Sequence, residues 1–451
     1  MYSLYPSFAA GYAKKLPTML AGKNNVWYTL DIFSGGAVMK ELLHHDAEKI
    51  IHRSIQAVLP DEAVVRALRG RTFPGKVILI AAGKAAWQMA KAACSVVRVD
   101  GGVVITKYGH CSGEIPGLTC FEAGHPVPDA NSFLATRAAL KQVEGLTAQD
   151  TVLFLLSGGG SALFEYPLVS GGELQDITNQ LLACGADMVE INTIRKRLST
   201  VKGGRFAQHC APAKVFSVVL SDILGDPLDM IASGPACPDS STSADAFAIA
   251  KKYSLSLSET ANALLAQETP KELQNVETVI TGSVRELCSA AAACCRDLGY
   301  EPLILTDLLR CEAREAGSFL ASIARSNASC RRSTAYLAGG ETVVHLTGKG
   351  LGGRNQEIAL AAAAGIEGLD NVLIFSLGSD GTDGPTDAAG GIVDGDTAGK
   401  LRSAGWDIHK VLAENDAYHA LHSVKGLIFT GPTGTNVNDV SVVLIQATAT
   451  D

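Results

Sequence analysis

Short apolar runs alternate with helical patterns along most of the chain, and this alternation predicts a parallel α/β architecture. Helical spacing is clearest at residues 39–60, where an amphipathic pattern stops at a proline. A shift toward Ser, Asp and Ala at residues 240–277 indicates a domain hinge nearby. The runs predicted as strands are residues 77–81, 103–106, 152–156, 216–220, 278–281, 302–306, 334–338, 372–376, 426–430 and 440–445.

Composition narrows the class of protein. The chain has 451 residues, 47% of them hydrophobic and 19% charged, so it can bury a large core divided between two or three domains. A formal net charge of −8 argues against a nucleic-acid partner, and no apolar run approaches the roughly 18 residues of a membrane span. The eleven cysteines show no C-x-x-C pair or zinc-ligand spacing, which is typical of free thiols in a reducing cytoplasm.

The first 38 residues differ from the rest of the chain. They hold seven aromatic residues, one acid and three lysines, without apolar periodicity. An upstream-shifted start codon, an organellar transit peptide and a genuine extension all remain open. The absence of arginine in this leader favours the first, since transit peptides are typically rich in arginine.

An acidic, glycine-rich stretch follows the predicted strand at residues 372–376. The carboxyl end of a buried parallel strand is where an open α/β sheet places ligands. Like charges crowded into one loop cost stability unless a cation answers them, so the stretch predicts a cation site, with a solvated acidic turn as the alternative. The carboxylates are Asp380, Asp383, Asp387, Asp394 and Asp396.

A glycine-rich segment at residues 347–360 lies upstream and is predicted to open a helix at Arg354. The amides and dipole at such a helix N-terminus favour an anion. Gly348, Gly350 and Gly353 also satisfy G-x-G-x-x-G, which raises a nicotinamide site as an alternative. The acidic residue that this fingerprint needs could only be Asp380, which lies beyond the usual spacing of about 20 residues.

Four more loops carry candidate chemistry. Lys84 stands at a strand-to-helix turn, although no Walker A pattern surrounds it. The glycines between Ser157 and Ser161 form a backbone-amide nest suited to phosphate or carboxylate oxygens. Residues 194–205 carry five basic side chains and predict either an anion site or a solvated helix face. Asp222 and Asp226 follow the strand at residues 216–220.

These motifs occur together in a known family. AAGKAA around Lys84, LSGGGSAL from Leu156, NTIRKRLSTVKGGR from Asn192, SDILGDP, GGRNQE, DGTDGPTDAAGG and GPTGTNVND resemble class II glycerate 2-kinases with a C-terminal MOFRL-type domain. The resemblance covers residues 39–451 in order. It departs from the family at Arg197, where histidine is common, so no role of that histidine is carried over.

The resemblance implies a two-domain α/β fold with the active site in the cleft between the domains. A Rossmann-like parallel-sheet domain would cover residues 39–275 and a smaller α/β MOFRL-type domain residues 333–451, joined by a connecting α/β segment at residues 276–332. Residues 1–38 would stand apart as a leader or a mis-called start.

The resemblance also implies a reaction, the Mg²⁺-dependent transfer of the γ-phosphoryl group of ATP to D-glycerate, giving 2-phosphoglycerate and ADP. Lys84 and Arg354 match family residues implicated in substrate binding and catalysis. From the chemistry of carboxylates we add Asp222 to the catalytic residues and assign Asp380 and Asp383 to the metal, although these aspartates could also exchange the roles of metal ligand and proton acceptor. Substrate and phosphate oxygens would be bound by Ser157, Gly158, Gly159, Gly160, Ser161, Lys202, Asn436 and Asn438.

Two other classes remain as alternatives. Some similar sequences carry the label hydroxypyruvate reductase, so an NAD(P)H-dependent oxidoreductase is the second candidate. A non-catalytic protein that binds sugar acids or nucleotides is the third, although it would have little use for aspartates after two separate strands. A cytoplasmic enzyme with small-molecule partners is expected, with homodimer formation and organellar import left open.

Overall fold

The structure is a computed structural model that describes residues 35–448 of the chain. The predicted leader therefore lies outside the described residues except for its last four positions. Two six-stranded sheets organise the described residues, one in each half. No helix among residues 35–448 has the length and apolar character needed to cross a membrane.

The first sheet is parallel throughout, with strand order β3-β2-β1-β4-β5-β6. This is the order of doubly wound nucleotide-binding sheets, and it confirms the predicted Rossmann-like domain. β1 and β4 are buried at every position, as expected for central strands covered by helices on both faces. The strands are β1 (Val77–Ala82), β2 (Gly101–Lys107), β3 (Leu118–Ala123), β4 (Thr151–Leu156), β5 (Lys214–Leu220) and β6 (Val276–Gly282).

Within residues 35–282, ten α-helices and a 3₁₀ turn at Ile231–Ser233 accompany these strands. They are α1 (Gly35–Ala57), α2 (Pro60–Leu68), α3 (Ala86–Val96), α4 (Ala130–Val143), α5 (Gly160–Leu163), α6 (Gly171–Ala183), α7 (Met188–Arg197), α8 (Arg205–Cys210), α9 (Ser243–Lys252) and α10 (Glu259–Leu265).

The second sheet is mixed, with strand order β11-β10-β9-β12-β8-β7, and only the β7–β8 pair is parallel. Its strands are β7 (Glu301–Leu309), β8 (Thr334–Gly340), β9 (Val372–Gly378), β10 (Gly390–Asp394), β11 (Leu427–Ile428) and β12 (Asp439–Ile445). Its helices are α11 (Val284–Asp297), α12 (Ala313–Asn327), α13 (Arg354–Gly365), α14 (Thr397–Ser403), α15 (Ile408–Ala413) and α16 (Ala417–Ser423).

The first helix of the chain lies on the second sheet. Leu43 and Ile50 of α1 are fully buried in one apolar cluster with Leu287 of α11 and Phe375 of β9. Tyr300 adds a polar link, since its hydroxyl donates to Oδ2 of Asp46 at 2.9 Å. The sequence placed α1 with the first domain because an amphipathic helix does not specify which sheet it covers.

The segment at residues 276–332 is also shared between the sheets. β6 belongs to the first sheet, whereas α11 and β7 pack in the second. The boundaries at residues 38, 275 and 332 stay predictions. We use N-terminal domain for the first sheet with its helices, and C-terminal domain for the second sheet with its helices and α1.

Candidate active site

A cleft of about 390 Å³ separates the two domains at the carboxyl ends of β1 and β4. This is the point where the strand order of the first sheet reverses, the usual ligand position in such sheets. The C-terminal domain closes the other side with the loops that follow β9 and precede β12. The cleft is lined by Pro60, Lys84, Ala85, Trp87, Gln88, His110, Ser112, Ser157, Gly158, Leu220, Asp222, Asp380, Gly434, Thr435 and Asn436.

Hydrogen bonds between β1 and β4 fix the turn that carries Lys84. The backbone N–H of Lys84 donates to the carbonyl of Gly158 at 2.9 Å, and the N–H of Ala85 donates to Oγ of Ser157 at 3.1 Å. Thr106 donates from its hydroxyl to the carbonyl of Lys84 at 3.2 Å. The side chain of Lys84 is exposed and lines the cleft. Ser157, in contrast, is buried and its hydroxyl supports the turn.

The glycines after β4 let the backbone of this loop approach other groups of the cleft. A Cβ atom placed on Gly158 would lie 2.4 Å from Oδ2 of Asp222. Gly159 has φ of 87°, a backbone conformation that favours glycine, and α5 begins at Gly160. This loop therefore lies directly beside Asp222 at the carboxyl edge of the first sheet.

Ser161 faces the interior of the N-terminal domain. Its carbonyl accepts from Nη2 of Arg195 at 2.9 Å and from Nζ of Lys202 at 2.8 Å. Its hydroxyl lies 3.3 Å from that of Ser233. Ser161 is absent from the lining of the cleft and anchors the loop from behind.

Asp222 lies at the floor of the cleft, beyond β5. Burial raises the pKa of its carboxyl, Lys84 opposes this increase, and Glu341 adds to it. No side chain of another described residue donates a hydrogen bond to this carboxylate. A carboxylate with a raised pKa and a free oxygen suits a proton acceptor.

Two C-terminal loops supply the opposite wall. The N–H of Thr382 donates to Oδ1 of Asp380 at 3.0 Å, and the N–H of Thr433 donates to its carbonyl at 3.2 Å. These bonds hold Asp380 against the loop that carries Asn436, which is exposed in the cleft. Asn438 is 5% exposed, with φ of 66°, and its carbonyl accepts from the N–H of Ser379. Asn438 therefore shapes the loop from inside and does not line the cleft.

Asp383 does not join Asp380 in the cleft. Its carboxylate accepts from the backbone N–H groups of Asn355 at 3.1 Å and Gln356 at 2.8 Å, so it occupies the N-terminus of α13. The anion that this helix end favours is thus supplied by the chain itself. Burial raises the pKa of Asp383 to about 6, although the two N–H donors oppose the increase. The predicted pairing of these two aspartates around a metal has no support in this geometry.

Arg354 is held by two carboxylates of the C-terminal domain. Its Nε and Nη2 donate to Asp439 at 2.5 and 3.0 Å, and its Nη1 donates to Oε1 of Glu341 at 3.2 Å. Burial lowers the pKa of the guanidinium, but Asp439 and Glu341 together raise it above its ordinary value. Arg354 is not among the residues that line the cleft, although its side chain is one-third exposed, and the charge of its partner Glu341 adds to the raised pKa of Asp222.

The acidic stretch is not one crowded loop, because β10 interrupts it. Asp387 accepts from the hydroxyl of Tyr418 at 2.8 Å. β10 runs antiparallel to β9 and carries Asp394 back to the level of Leu373. There Oδ2 of Asp394 lies 3.2 Å from Nε2 of His44, and Oδ1 of Asp396 lies 2.6 Å from Nζ of Lys40. The expected crowding of five carboxylates was therefore wrong.

The basic segment at residues 194–205 is neither an anion site nor a solvated helix face. Lys202 is fully buried; Nζ donates to the carbonyl of Phe164 at 3.2 Å and lies 3.4 Å from Oε2 of Glu165. Burial lowers the pKa of Lys202 to about 8, with Glu165 opposing. Arg197 is also fully buried, with Nη1 3.8 Å from Oδ2 of Asp239. Lys202 consequently does not reach the cleft.

Two histidines near the cleft were missed from the sequence. Nδ1 of His110 lies 3.2 Å from the carbonyl of Lys84. The pKa of His125 is lowered by burial and then by the positive charge of Lys84, Lys107 and His110. His125 follows β3. Because β3 is partly exposed and has no clear apolar run, the sequence did not predict this strand. The position of His125 at the carboxyl edge of the sheet was therefore not predicted either.

The glycine-rich loop before α13 does not form a dinucleotide cradle. The N–H of Gly348 donates to Oδ1 of Asn415 at 2.9 Å, and that of Gly350 donates to the carbonyl of Glu414 at 2.8 Å. The N–H of Leu351 donates to Oδ1 of Asp416 at 2.9 Å. These amides are thus satisfied within the chain.

The cleft offers two carboxylates to a cation, Asp222 and Asp380. Within residues 35–448, no group of three or more His, Cys, Asp and Glu side chains has an arrangement that would hold a metal. Mg²⁺ is commonly bound by one or two carboxylates, with phosphate oxygens and water completing its six ligands. The residues present fit an ion that arrives with a polyphosphate.

Comparisons with known proteins give consistent relatives. Residues 46–266 match the family model described as a domain of unknown function, DUF4147, and residues 334–439 match the MOFRL family. A D-glycerate 2-kinase of Thermotoga maritima is 52% identical over 90% of this chain and 99% of its own length. A protein of Agrobacterium vitis named putative hydroxypyruvate reductase is 39% identical over 88% of this chain and 93% of its own.

The fold agrees with a solved structure of the same kind. The crystal structure of a glycerate kinase from Thermotoga maritima superposes with a TM-score of 0.85 at 51% identity. The match covers 91% of this chain and 100% of the other.

Proposed function

The chain belongs to the glycerate kinase family, and on this premise we propose that it transfers the γ-phosphoryl group of ATP to O2 of D-glycerate, giving 2-phosphoglycerate and ADP. The observation that carries the proposal is the composition of the cleft. A lysine, a glycine loop and an isolated aspartate of the N-terminal domain face Asp380 of the C-terminal domain across a gap large enough for a small acid and a phosphate chain.

The chemistry requires a proton acceptor, charge neutralisation and alignment. Asp222 accepts the proton of the 2-hydroxyl group as its oxygen forms a bond with the γ-phosphorus. The bond from that phosphorus to the β–γ bridging oxygen breaks, and ADP leaves. Lys84 neutralises charge on the transferred group, and the backbone at Gly158 and Gly159 holds its oxygens. Asn436 closes the cleft from the C-terminal domain.

Arg354 supports this site through its carboxylate partners. Asp439 and Glu341 fix the guanidinium, and the charge of Glu341 acts on Asp222. Arg354 thereby limits the negative charge that Glu341 presents to the proposed base. This is a positioning role, which replaces the direct contact with substrate expected from the sequence.

Mg²⁺ would be held by Asp222 and Asp380 together with phosphate oxygens of ATP, which suits its preference for oxygen ligands. When bound, the ion supplies neutralisation of phosphate charge. If one oxygen of Asp222 binds Mg²⁺, the other oxygen of the same carboxylate accepts the proton of the substrate hydroxyl. Asp383 is left out of this assignment, because both its oxygens accept from α13.

The reductase alternative finds no nicotinamide site in the glycine-rich loop before α13. Its only sequence support was the glycine-rich loop before α13, and the amides of that loop are bound by Asn415, Glu414 and Asp416. The name of the Agrobacterium vitis relative is thus the remaining argument for it.

A coupled assay tests the proposal. The purified protein is incubated with ATP, Mg²⁺ and D-glycerate, and ADP release and 2-phosphoglycerate are followed, the latter through enolase without a mutase. Direct coupling is the expected result. Coupling only after a mutase is added would mean transfer to O3, and oxidation of NADH by hydroxypyruvate without ADP release would contradict the kinase assignment.

A further inference from the structure

A second cavity adjoins the cleft on the N-terminal domain. We call it the side pocket; its volume is about 610 Å³, and it lies between the segment after β3 and the start of α6. None of the reaction steps above uses it. It is lined by Tyr108, Gly124, His125, Pro126, Val127, Pro128, Asp129, Ala130, Phe133, Gly171, Gly172 and Gln175.

Size is the first reason to connect the two cavities. The cleft of about 390 Å³ lies near the lower end of the roughly 300–1,000 Å³ that pockets for a single drug-sized ligand span. The proposed reaction needs ATP and D-glycerate bound at the same time. The cleft has room for the acid and the phosphate chain, so the nucleoside must extend into a neighbouring space.

Gly159 and His125 form the junction between the cleft and the side pocket. A Cβ atom on Gly159 would lie 3.0 Å from Cδ2 of His125 and 3.3 Å from Cγ of Lys84. Lys84 lines the cleft, whereas His125 lines the side pocket. The space over Gly159 is thus occupied by the side chains of His125 and Lys84, which meet where the two cavities adjoin. A phosphate chain that runs from one cavity to the other over Gly159 would therefore lie against these two side chains.

The junction carries charge and the side pocket beyond it is largely apolar, which matches the phosphates and the base of a nucleotide. The charged side chain of Lys84 lies at the junction beside the imidazole of His125, which favours phosphate there. Beyond it, the walls are formed by rings and apolar groups, including Tyr108 and Val127, each 49% exposed. Bases stack on aromatic side chains with a gain of about 1–3 kcal/mol per base.

The polar contacts of Tyr108 hold its ring in place before any ligand arrives. Its hydroxyl donates to Oδ2 of Asp129 at 2.7 Å and accepts from Nδ2 of Asn131 at 3.0 Å. At the opposite side, Gly171 packs against Phe133, where a Cβ atom would lie 2.8 Å from Cε2 of the ring. Gly172 faces open space, with no atom within 4 Å of the position its Cβ would take.

We infer that the side pocket binds the adenosine part of ATP, with the phosphates passing over Gly159 into the cleft. This inference rests on the proposed function, since it names where the phosphoryl donor of that reaction is held.

Gly172→Trp tests the inference by filling the side pocket. Its backbone φ is in the ordinary helical range and its Cβ direction is open, so the side chain should be accommodated. Gly399→Trp, in α14 of the C-terminal domain, is the matched control. Binding of ADP and of inorganic tripolyphosphate is measured by titration calorimetry, and a thermal melt checks that each variant is folded.

The expected result is at least tenfold weaker ADP binding by Gly172→Trp, with tripolyphosphate affinity within twofold of wild type and both affinities unchanged in Gly399→Trp. Unchanged ADP binding would overturn the inference, and so would an equal loss for both ligands. Gly172→Leu replaces the tryptophan variant should that one not fold. A wild-type protein with no glycerate-dependent ADP release would instead contradict the proposed function, whichever way the nucleotide titrations turn out.

Discussion

At the residue scale, Asp222 has the property that its proposed role demands. Burial raises the pKa of its carboxyl, so the group holds a proton more readily than an ordinary aspartate. The ionised form is the one that can accept the substrate proton. Activity should therefore fall as pH decreases through this raised pKa. The acid limb of the kcat/KM profile is expected at a higher pH than an unperturbed aspartate would give.

Asp222→Asn should reduce kcat by about 10²–10⁴-fold, the usual contribution of a general base. The amide keeps the shape of the side chain but cannot take the proton. Initial rates across pH provide the measurement, and the acid limb should disappear in the variant. Asp297→Asn is the control, because Asp297 is 67% exposed and pairs only with Arg53 at the surface. An unchanged kcat in Asp222→Asn would remove the base from the mechanism.

Lys84 and Lys202 carry the same side chain in opposite surroundings. Lys202→Met would leave Glu165 buried with the guanidinium of Arg195 at 3.5 Å as its remaining cationic partner, so the cost should be below the roughly 3–5 kcal/mol of a fully unpaired buried charge. Lys84→Met removes an exposed charge, so its stability should stay within about 0.5 kcal/mol of wild type while turnover is lost. Thermal melts and kcat separate the two lysines.

A double variant tests whether the stability lost in Lys202→Met comes from the buried charge of Glu165. Lys202→Met combined with Glu165→Leu removes both buried charges and should recover part of the lost melting temperature. Recovery of the melting temperature in the double variant would support an internal ion pair between Lys202 and Glu165. If Lys202→Met instead melts like wild type but no longer binds phosphate, Lys202 would be a phosphate-binding residue, as predicted from the sequence.

At the element scale, the N-terminus of α13 explains why Asp383 resembles a metal ligand in the sequence. Asp383 accepts from the first free N–H groups of that helix. Asp383→Ala should cost about 1–2 kcal/mol, as for loss of a helix cap, and should leave the Mg²⁺ concentration for half-maximal rate unchanged. Asp387→Ala, at an exposed position of the same stretch, serves as control. A large rise in the Mg²⁺ requirement of Asp383→Ala would reinstate it as a metal ligand.

Most elements of the fold were predictable, because buried strands appear as short apolar runs. All ten predicted runs contain strand residues, and the two strands that escaped, β3 and β10, lack such a run. β3 is mostly half exposed, and the glycines of β10 were read as part of a loop. Strand direction was not predictable either, since the short runs of the second sheet look the same whether parallel or antiparallel.

Several of the predicted site residues lie at the cleft, among them Lys84, Gly158 and Asp222, each of which follows a central strand. Lys202 and Asn438 do not line it, because a sequence motif does not distinguish a side chain that faces a cleft from one that supports the loop behind it.

At the scale of the whole molecule, α1 ties the beginning of the chain to the C-terminal domain. Ile50→Ala should cost about 2–4 kcal/mol, because Ile50 is fully buried against α11 and the second sheet. The loss should appear as faster hydrogen exchange in β9 and β12, with β1 and β4 little affected. Val38→Ala, on the same helix but 58% exposed, is the control. Faster exchange confined to β1 and β4 would contradict the domain assignment of α1.

The placement of α1 also has a consequence for synthesis of the chain. The N-terminal domain is complete once β6 has been made, whereas Leu43 and Ile50 must wait for α11, β9 and β12, the last of which ends at Ile445. At a translation rate of about 5–20 residues per second, the interval from Ile50 to Ile445 is on the order of 20–80 seconds. Until α11, β9 and β12 have all been made, part of the apolar face of α1 stays uncovered on the ribosome, so we expect nascent chains of this protein to bind chaperones that hold exposed helices.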